Sequence, residues 1–173
     1  TTPETAMGDV PQFINAYQSL YKQTSIKYAS IAKQEAAIKQ GLRYVKYYFP
    51  DYKLPTKLIT FIGPINSFGN IITIDALAIG LQMYLGKNDP IYVSEEGQSL
   101  YPIYVSRRFE PEYMATNCMK NIRDDMFPLQ DAGAPLCEQM VEAGKRLYFL
   151  KQVLPTEQDS IVTGYTAAQL EGC

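Results

Sequence analysis

The run at 76–81, Ala-Leu-Ala-Ile-Gly-Leu, constrains the fold more than any other part of this chain. It carries no polar side chain between Asp75 and Gln82. A strand with one face in water alternates polar and apolar residues; an unbroken apolar run reads as a strand buried on both sides. Gly80 removes a side chain within it, as expected where another backbone or a ligand passes close by. Two further strands precede it. Residues 57–62 are β-rich and closed by Gly63-Pro64, residues 66–70 form a turn cluster containing Gly69, and residues 71–74 read as a strand. A sheet this small must be covered by helices to bury its faces.

The helices are legible on both sides of the sheet segment. Residues 11–23 read as a short helix capped by Asp9, with Phe13, Ala16, Tyr17 and Leu20 on one face, and Thr24 restarts the pattern. Residues 25–49 form a longer amphipathic helix. Ile31, Ile38, Leu42, Val45 and Phe49 share its apolar face, Lys27, Lys33, Lys39, Arg43 and Lys46 its solvated face, and Pro50 stops it. These two helices are expected to pack as an N-terminal hairpin. Later, Pro111 takes a first helical position ahead of a stripe of Met114, Cys118, Ile122 and Met126. Pro135 opens another helix with Leu136, Met140, Ala143, Leu147, Leu150 and Leu154 inward, ending at Pro155. Thr166 and Gln169 form a capping box for a last helix. The expected fold is mixed α+β: a sheet of about three strands flanked by helices. Residues 1–9 are expected to be a flexible tether and residues 10–173 a single domain. The final helix reaches only Cys173, which points to a natural protein that continues.

Residue types exclude several chemistries. With 16 basic and 18 acidic side chains the charge is balanced, which argues against nucleic acid and against a basic membrane-binding surface. No run reaches the roughly 18 apolar residues that span a bilayer. The chain contains 0 His. Zinc held by imidazole and Ser-His nucleophiles therefore cannot be assembled. There is no Gly-x-Ser-x-Gly and no phosphate loop, and Asp124-Asp125 with Asp131 lacks the spacing of a calcium loop. No metal and no cofactor is expected, and the protein is expected not to be an enzyme. Glu142 with Lys145 and Arg146 has the spacing of an ion pair, while Arg107 and Arg108 beside Glu110 and Glu112 read as a helix start. Three Cys leave at least one thiol unpaired, and Cys118 and Cys137 are expected to be buried and free. Tyr is abundant, 14 against 7 Phe and 0 Trp. Tyr44, Tyr47, Tyr48, Tyr52, Tyr84, Tyr92, Tyr101 and Tyr104 form the expected contact surface, because a rigid amphipathic ring loses little entropy on contact.

The tract Leu-Pro-Thr-Lys-Leu-Ile-Thr-Phe-Ile at 54–62 and the tract Asp-Ala-Leu-Ala-Ile-Gly-Leu-Gln-Met-Tyr-Leu-Gly at 75–86 resemble the gliding-motility lipoprotein GldB of Bacteroidetes. So do Phe49-Pro50, residues 139–148, Gly164-Tyr165-Thr166 and Gln169-Leu170. The resemblance covers roughly residues 44–173. It implies an envelope lipoprotein, in the periplasm or on an outer-membrane face, held by an acylated Cys that precedes this chain and accessory to gliding and type IX secretion. It implies envelope proteins as partners, reached by protein–protein binding, and supplies no catalytic residues. A more distant similarity is to zinc peptidases with a His-Glu-x-x-His helix and a later Glu-Gly-Leu-Ala-Glu helix. On that similarity the frame is a degenerate zincin, and Arg107, Arg108, Glu110 and Glu142 mark its former site. Two other functions follow: a hydrolase completed by residues outside this chain, and a purely structural module of a larger assembly.

Overall fold

A computed structural model describes residues 3–129 and 133–172. Asp131 and Cys173 lie outside the described residues. The sheet has the order β1-β3-β2, built from β1 (Lys57–Phe61), β2 (Asn70–Ile72) and β3 (Ala76–Gly80). β1 runs parallel to β3, from Lys57 opposite Ala76 to Phe61 opposite Gly80, and β2 runs antiparallel to it. All five residues of β3 are buried, as the apolar run requires. Gly80 meets a backbone: its N–H donates to Gly69 O at 2.5 Å, and a Cβ at Gly80 would stand 2.4 Å from that oxygen. Ile74, expected in a strand, lies past the end of β2 and is fully exposed.

The chain opens with two helices, α1 (Pro3–Lys27) and α2 (Ala32–Tyr48). The break falls at residues 28–31 instead of at Thr24. Thr24 is buried and turns its hydroxyl back onto Leu20 O at 2.7 Å, so the residue that seemed to restart the pattern sits inside a continuous helix. Helix also occupies residues 3–9, where a tether was expected. The break has a tertiary cause. Tyr28 Oη donates to Tyr84 O and Lys27 Nζ to Leu85 O, which pins the end of α1 to the segment leaving the sheet.

That segment is a 3-10 turn at Leu81–Met83, followed by α3 (Pro90–Val93), α4 (Glu95–Leu100) and α5 (Ile103–Ser106). Asp89 and Ser94 cap α3 and α4 through their side chains. Neither helix was read from the sequence, because pieces this short carry no apolar period. A 3-10 turn at Pro111–Tyr113 leads into α6 (Met114–Met126), whose Met114, Cys118 and Ile122 are buried as the stripe predicts. α7 (Leu136–Val153), α8 (Asp159–Thr163) and α9 (Ala167–Glu171) follow. The capping box at Thr166 and Gln169 is formed in both directions. α2, α6 and α7 pack against one another, and α6 also covers β2. One continuous core joins Ile38 and Val45 of α2, Leu77 and Ile79 of β3, Met119 and Ile122 of α6, and Leu150 and Val153 of α7.

Candidate functional site

α7 changes character along its length. In its second half Phe149, Leu150 and Val153 are buried, and Leu154 beyond its end is buried too. Before Phe149 the charged residues nearest the body are Glu142 and Arg146, while Glu138, Lys145 and several apolar residues are exposed. Leu136 is 71% exposed, Met140 64% and Val141 57%, with Tyr148 exposed beside them. Leu136, Met140 and Ala143, expected inward, are therefore corrected to the solvent side. Cys137 is corrected likewise: it is a free thiol but an exposed one, while Cys118 is buried. Cys137, Val141, Gly144 and Tyr148 follow the i, i+4, i+7, i+11 spacing of one helix stripe.

Between this part of α7 and the ends of α2 and α6 lies a groove of about 1160 Å³. Phe49, Phe127 and Phe149 meet in it, with Phe49 5.6 Å from Phe127 and 5.8 Å from Phe149 between ring centroids. Tyr48, Cys137, Val141 and Tyr148 line its walls. One edge is held by charge. Asp124 pairs with Arg123 at 2.7 Å and with Arg146 at 2.5 Å, and Arg146 also donates to Phe127 O at 3.0 Å. Both guanidinium groups are largely buried, 12% and 11% exposed, so the pairs brace α6 against α7.

Glu142 belongs to this edge. Its carboxylate stands 3.3 Å from Arg146 Nε and 3.8 Å from Lys145 Nζ. Arg146 Nε has charge proximity there but no hydrogen-bond angle. The remaining members of the expected degenerate site lie elsewhere. Arg107 and Arg108 each donate to Gly164 O at 3.3 Å, and Glu110 accepts from Lys87 N at 3.1 Å. Among the described residues no hydrogen bond or ion pair joins Glu142 to any of the three. Among the same residues no three of His, Cys, Asp and Glu gather as a metal-holding group.

The expected tyrosine surface needs the largest correction. Tyr84 is 2% exposed and Tyr92 0%, so neither meets a partner in the folded chain. Tyr84 Oη accepts from Asn70 at 3.0 Å and Asn117 at 3.3 Å, and burial pushes its ionisation well above the ordinary tyrosine value. Tyr92 Oη donates to Gln82 O and accepts from Leu85 N at 3.2 Å. Tyr44 and Tyr101 are half-buried, and Tyr52 is half-buried with its hydroxyl on Asp125 at 2.6 Å. Tyr47, Tyr48 and Tyr104 are exposed, but of the eight only Tyr48 lines the groove. Phe127, Val141 and Tyr148 were missed. The available signal was that α7 carries two apolar stripes, more than one packed face needs.

The model of the family described as gliding motility protein GldB, a family of lipoproteins, matches residues 3–173. That is nearly the whole chain, and it extends the resemblance from 44–173 to include α1 and the start of α2. No curated protein and no solved structure matches it. No helix among the described residues is long and apolar enough to cross a membrane.

Proposed function

We propose that this chain, which belongs to the gliding motility protein GldB family, works without catalysis in the bacterial envelope. It binds an amphipathic helix of an envelope protein in the groove between α2, α6 and α7. The native protein is held by a lipid in the periplasm or on an outer-membrane face, and its partner serves gliding or the associated secretion. One observation carries the reading: along α7 before Phe149, Leu136, Met140, Val141 and Tyr148 are exposed while Glu142 and Arg146 turn to the body, with Glu138 and Lys145 also in solvent. A helix that serves only its own fold has the opposite arrangement. The groove beside it ends in three aromatic rings, the residue type that dominates binding energy at interfaces. Helix-in-groove recognition uses anchors at i, i+3, i+4 and i+7, the spacing that the α7 stripe offers.

The test uses the exposed thiol. A photo-activated cross-linker is attached to Cys137 of the lipid-anchored protein in its own envelope. A single adduct is expected, and it is lost in Val141→Asp and Tyr148→Asp variants, at two residues that line the groove, with melting temperatures unchanged. No adduct, or an adduct indifferent to both substitutions, refutes the groove. Turnover of peptides by the purified protein would refute the absence of catalysis.

A further inference from the structure

Away from the groove, two arginines converge on the end of α8, and a lysine of α6 lies within electrostatic reach of one of them. Arg107 and Arg108 leave the end of α5 and both donate Nη2 to Gly164 O. Gly164 closes α8 at φ 75°, and the Arg108 guanidinium lies so close that a Cβ there would be 2.6 Å from its Cζ. Lys120 of α6 is within electrostatic reach of Arg108, Arg123 and Asp124, and its ammonium donates to Asn117 Oδ1 at 3.4 Å.

This cluster is over-supplied with donors. One guanidinium is enough to cap the last carbonyls of a short helix, and here there are two, with an ammonium beside them. Among the described residues no carboxylate lies within 4.0 Å of Arg107, Arg108 or Lys120. Arg108 Nε is buried and has no hydrogen-bond partner among the described residues. A buried donor left without an acceptor costs free energy, and the neighbouring like charges of Arg108 and Lys120 add to that cost, offset in part by Asp124.

We infer that Arg107, Arg108 and Lys120 form a binding site for a phosphate-class oxyanion beside the end of α8. Three cationic groups match a doubly charged phosphate better than a single carboxylate. Planar guanidinium edges bind two oxygens of one tetrahedral group, while an ammonium acts as a point charge on a third. The three cationic side chains are only half-buried, so the site is open on its outer side. A bound anion also relieves the strain on Lys120. Burial, then Arg108 and Arg123, hold its amine down at about 8, with Asp124 opposing weakly.

The experiment titrates the protein with inorganic phosphate at constant ionic strength and follows melting temperature and heat of binding. Saturable binding is expected, weakened at least tenfold in Lys120→Met and in Arg107→Gln, with the affinity falling as pH rises past about 8. Arg107→Gln keeps Arg108 as the cap of α8, so a folded variant is retained, and circular dichroism verifies it. Vesicles of phosphatidylglycerol in phosphatidylcholine form the second arm. Sedimentation with them that free phosphate displaces identifies a lipid headgroup as the source. Phosphate binding without vesicle binding identifies a soluble phosphate. No saturable binding, binding by either variant as tight as that of the unsubstituted protein, or acetate binding as tightly as phosphate each overturns the site.

Discussion

Substituting Tyr92→Phe isolates the contribution of one buried hydroxyl to this fold. Tyr92 Oη bridges two backbone groups of the segment that leaves the sheet, donating to Gln82 O and accepting from Leu85 N at 3.2 Å. The ring stays in place after substitution, because its contact with Phe109, 4.9 Å between centroids at 68°, does not involve the hydroxyl. What is lost is the partner of a carbonyl and of an N–H, both in the dry interior. Each group left unsatisfied there costs about 1–3 kcal/mol, so the expected loss is about 2–4 kcal/mol. Tyr101→Phe is the matched control. Its ring packs on the same Phe109 at 5.1 Å and 79°, but its hydroxyl donates to Ile65 O at 2.7 Å in a half-buried setting that water can enter. That variant should lose about 1 kcal/mol or less. Urea unfolding followed by circular dichroism reads both. With a slope of about 1–3 kcal/mol/M, Tyr92→Phe should lower the midpoint by roughly 1–2 M, and Tyr101→Phe by a fraction of that. Equal shifts in the two variants would show that burial depth does not set the cost, and the reasoning fails.

Gly80→Ala places a Cβ 2.4 Å from Gly69 O and 2.8 Å from Gln82 Nε2, so it must break the Gly80–Gly69 hydrogen bond. A loss of at least about 3 kcal/mol is expected in the same assay, and a fully stable variant would mean that residue 69 moves freely. The ionisation of Lys120 gives a pH signature. Its folded value of about 8 lies below the ordinary 10.5, so the unfolded chain holds more protons between those values and stability rises with pH there, by at most about 3 kcal/mol. Cys118 opposes it: burial raises its thiol from 9.0 to about 12, so the unfolded chain loses that proton first and stability falls from about pH 9 upward. Lys120→Met should therefore remove the rise between pH 8 and 9 while keeping the later decline; an unchanged profile would assign the rise to another group. In native protein a maleimide should label Cys137 rapidly and Cys118 only after unfolding, and mass spectrometry of the two peptides checks the order.

Much of the fold was readable without coordinates wherever local pattern and tertiary environment agree. The apolar run at 76–81 became a fully buried strand, Gly80 met a backbone, and Thr166 with Gln169 formed a capping box. The stripe of Met114, Cys118 and Ile122 faced the core because α6 has neighbours on that side. Sites were less readable. Counting tyrosines says nothing about depth: Tyr84 and Tyr92 went inside because polar partners there, the half-buried Asn70 and Asn117 side chains and the buried backbone of Gln82 and Leu85, take up their hydroxyls. Arg107 and Arg108 were separated from Glu142 because they cap α8, a helix that sequence reasoning did not place.

The order of residues alone determined three things here: a sheet segment buried on both sides, the helix ends marked by Pro50, Pro155 and the capping box at Thr166, and the absence of imidazole from these residues. Those follow from steric rules and residue inventories that act within a few positions of the chain. Pro11, expected to open a helix after Asp9, lies inside α1. Which length of α7 would be covered was decided only in three dimensions: Phe149, Leu150 and Val153 are buried, while earlier members of both apolar stripes are not. A helical period groups residues onto faces, but the neighbour that arrives at each face is set by packing across long sequence distances. For α7 that neighbour is α6, reaching Arg146 through Asp124, and it left Met140 and Val141 to the solvent.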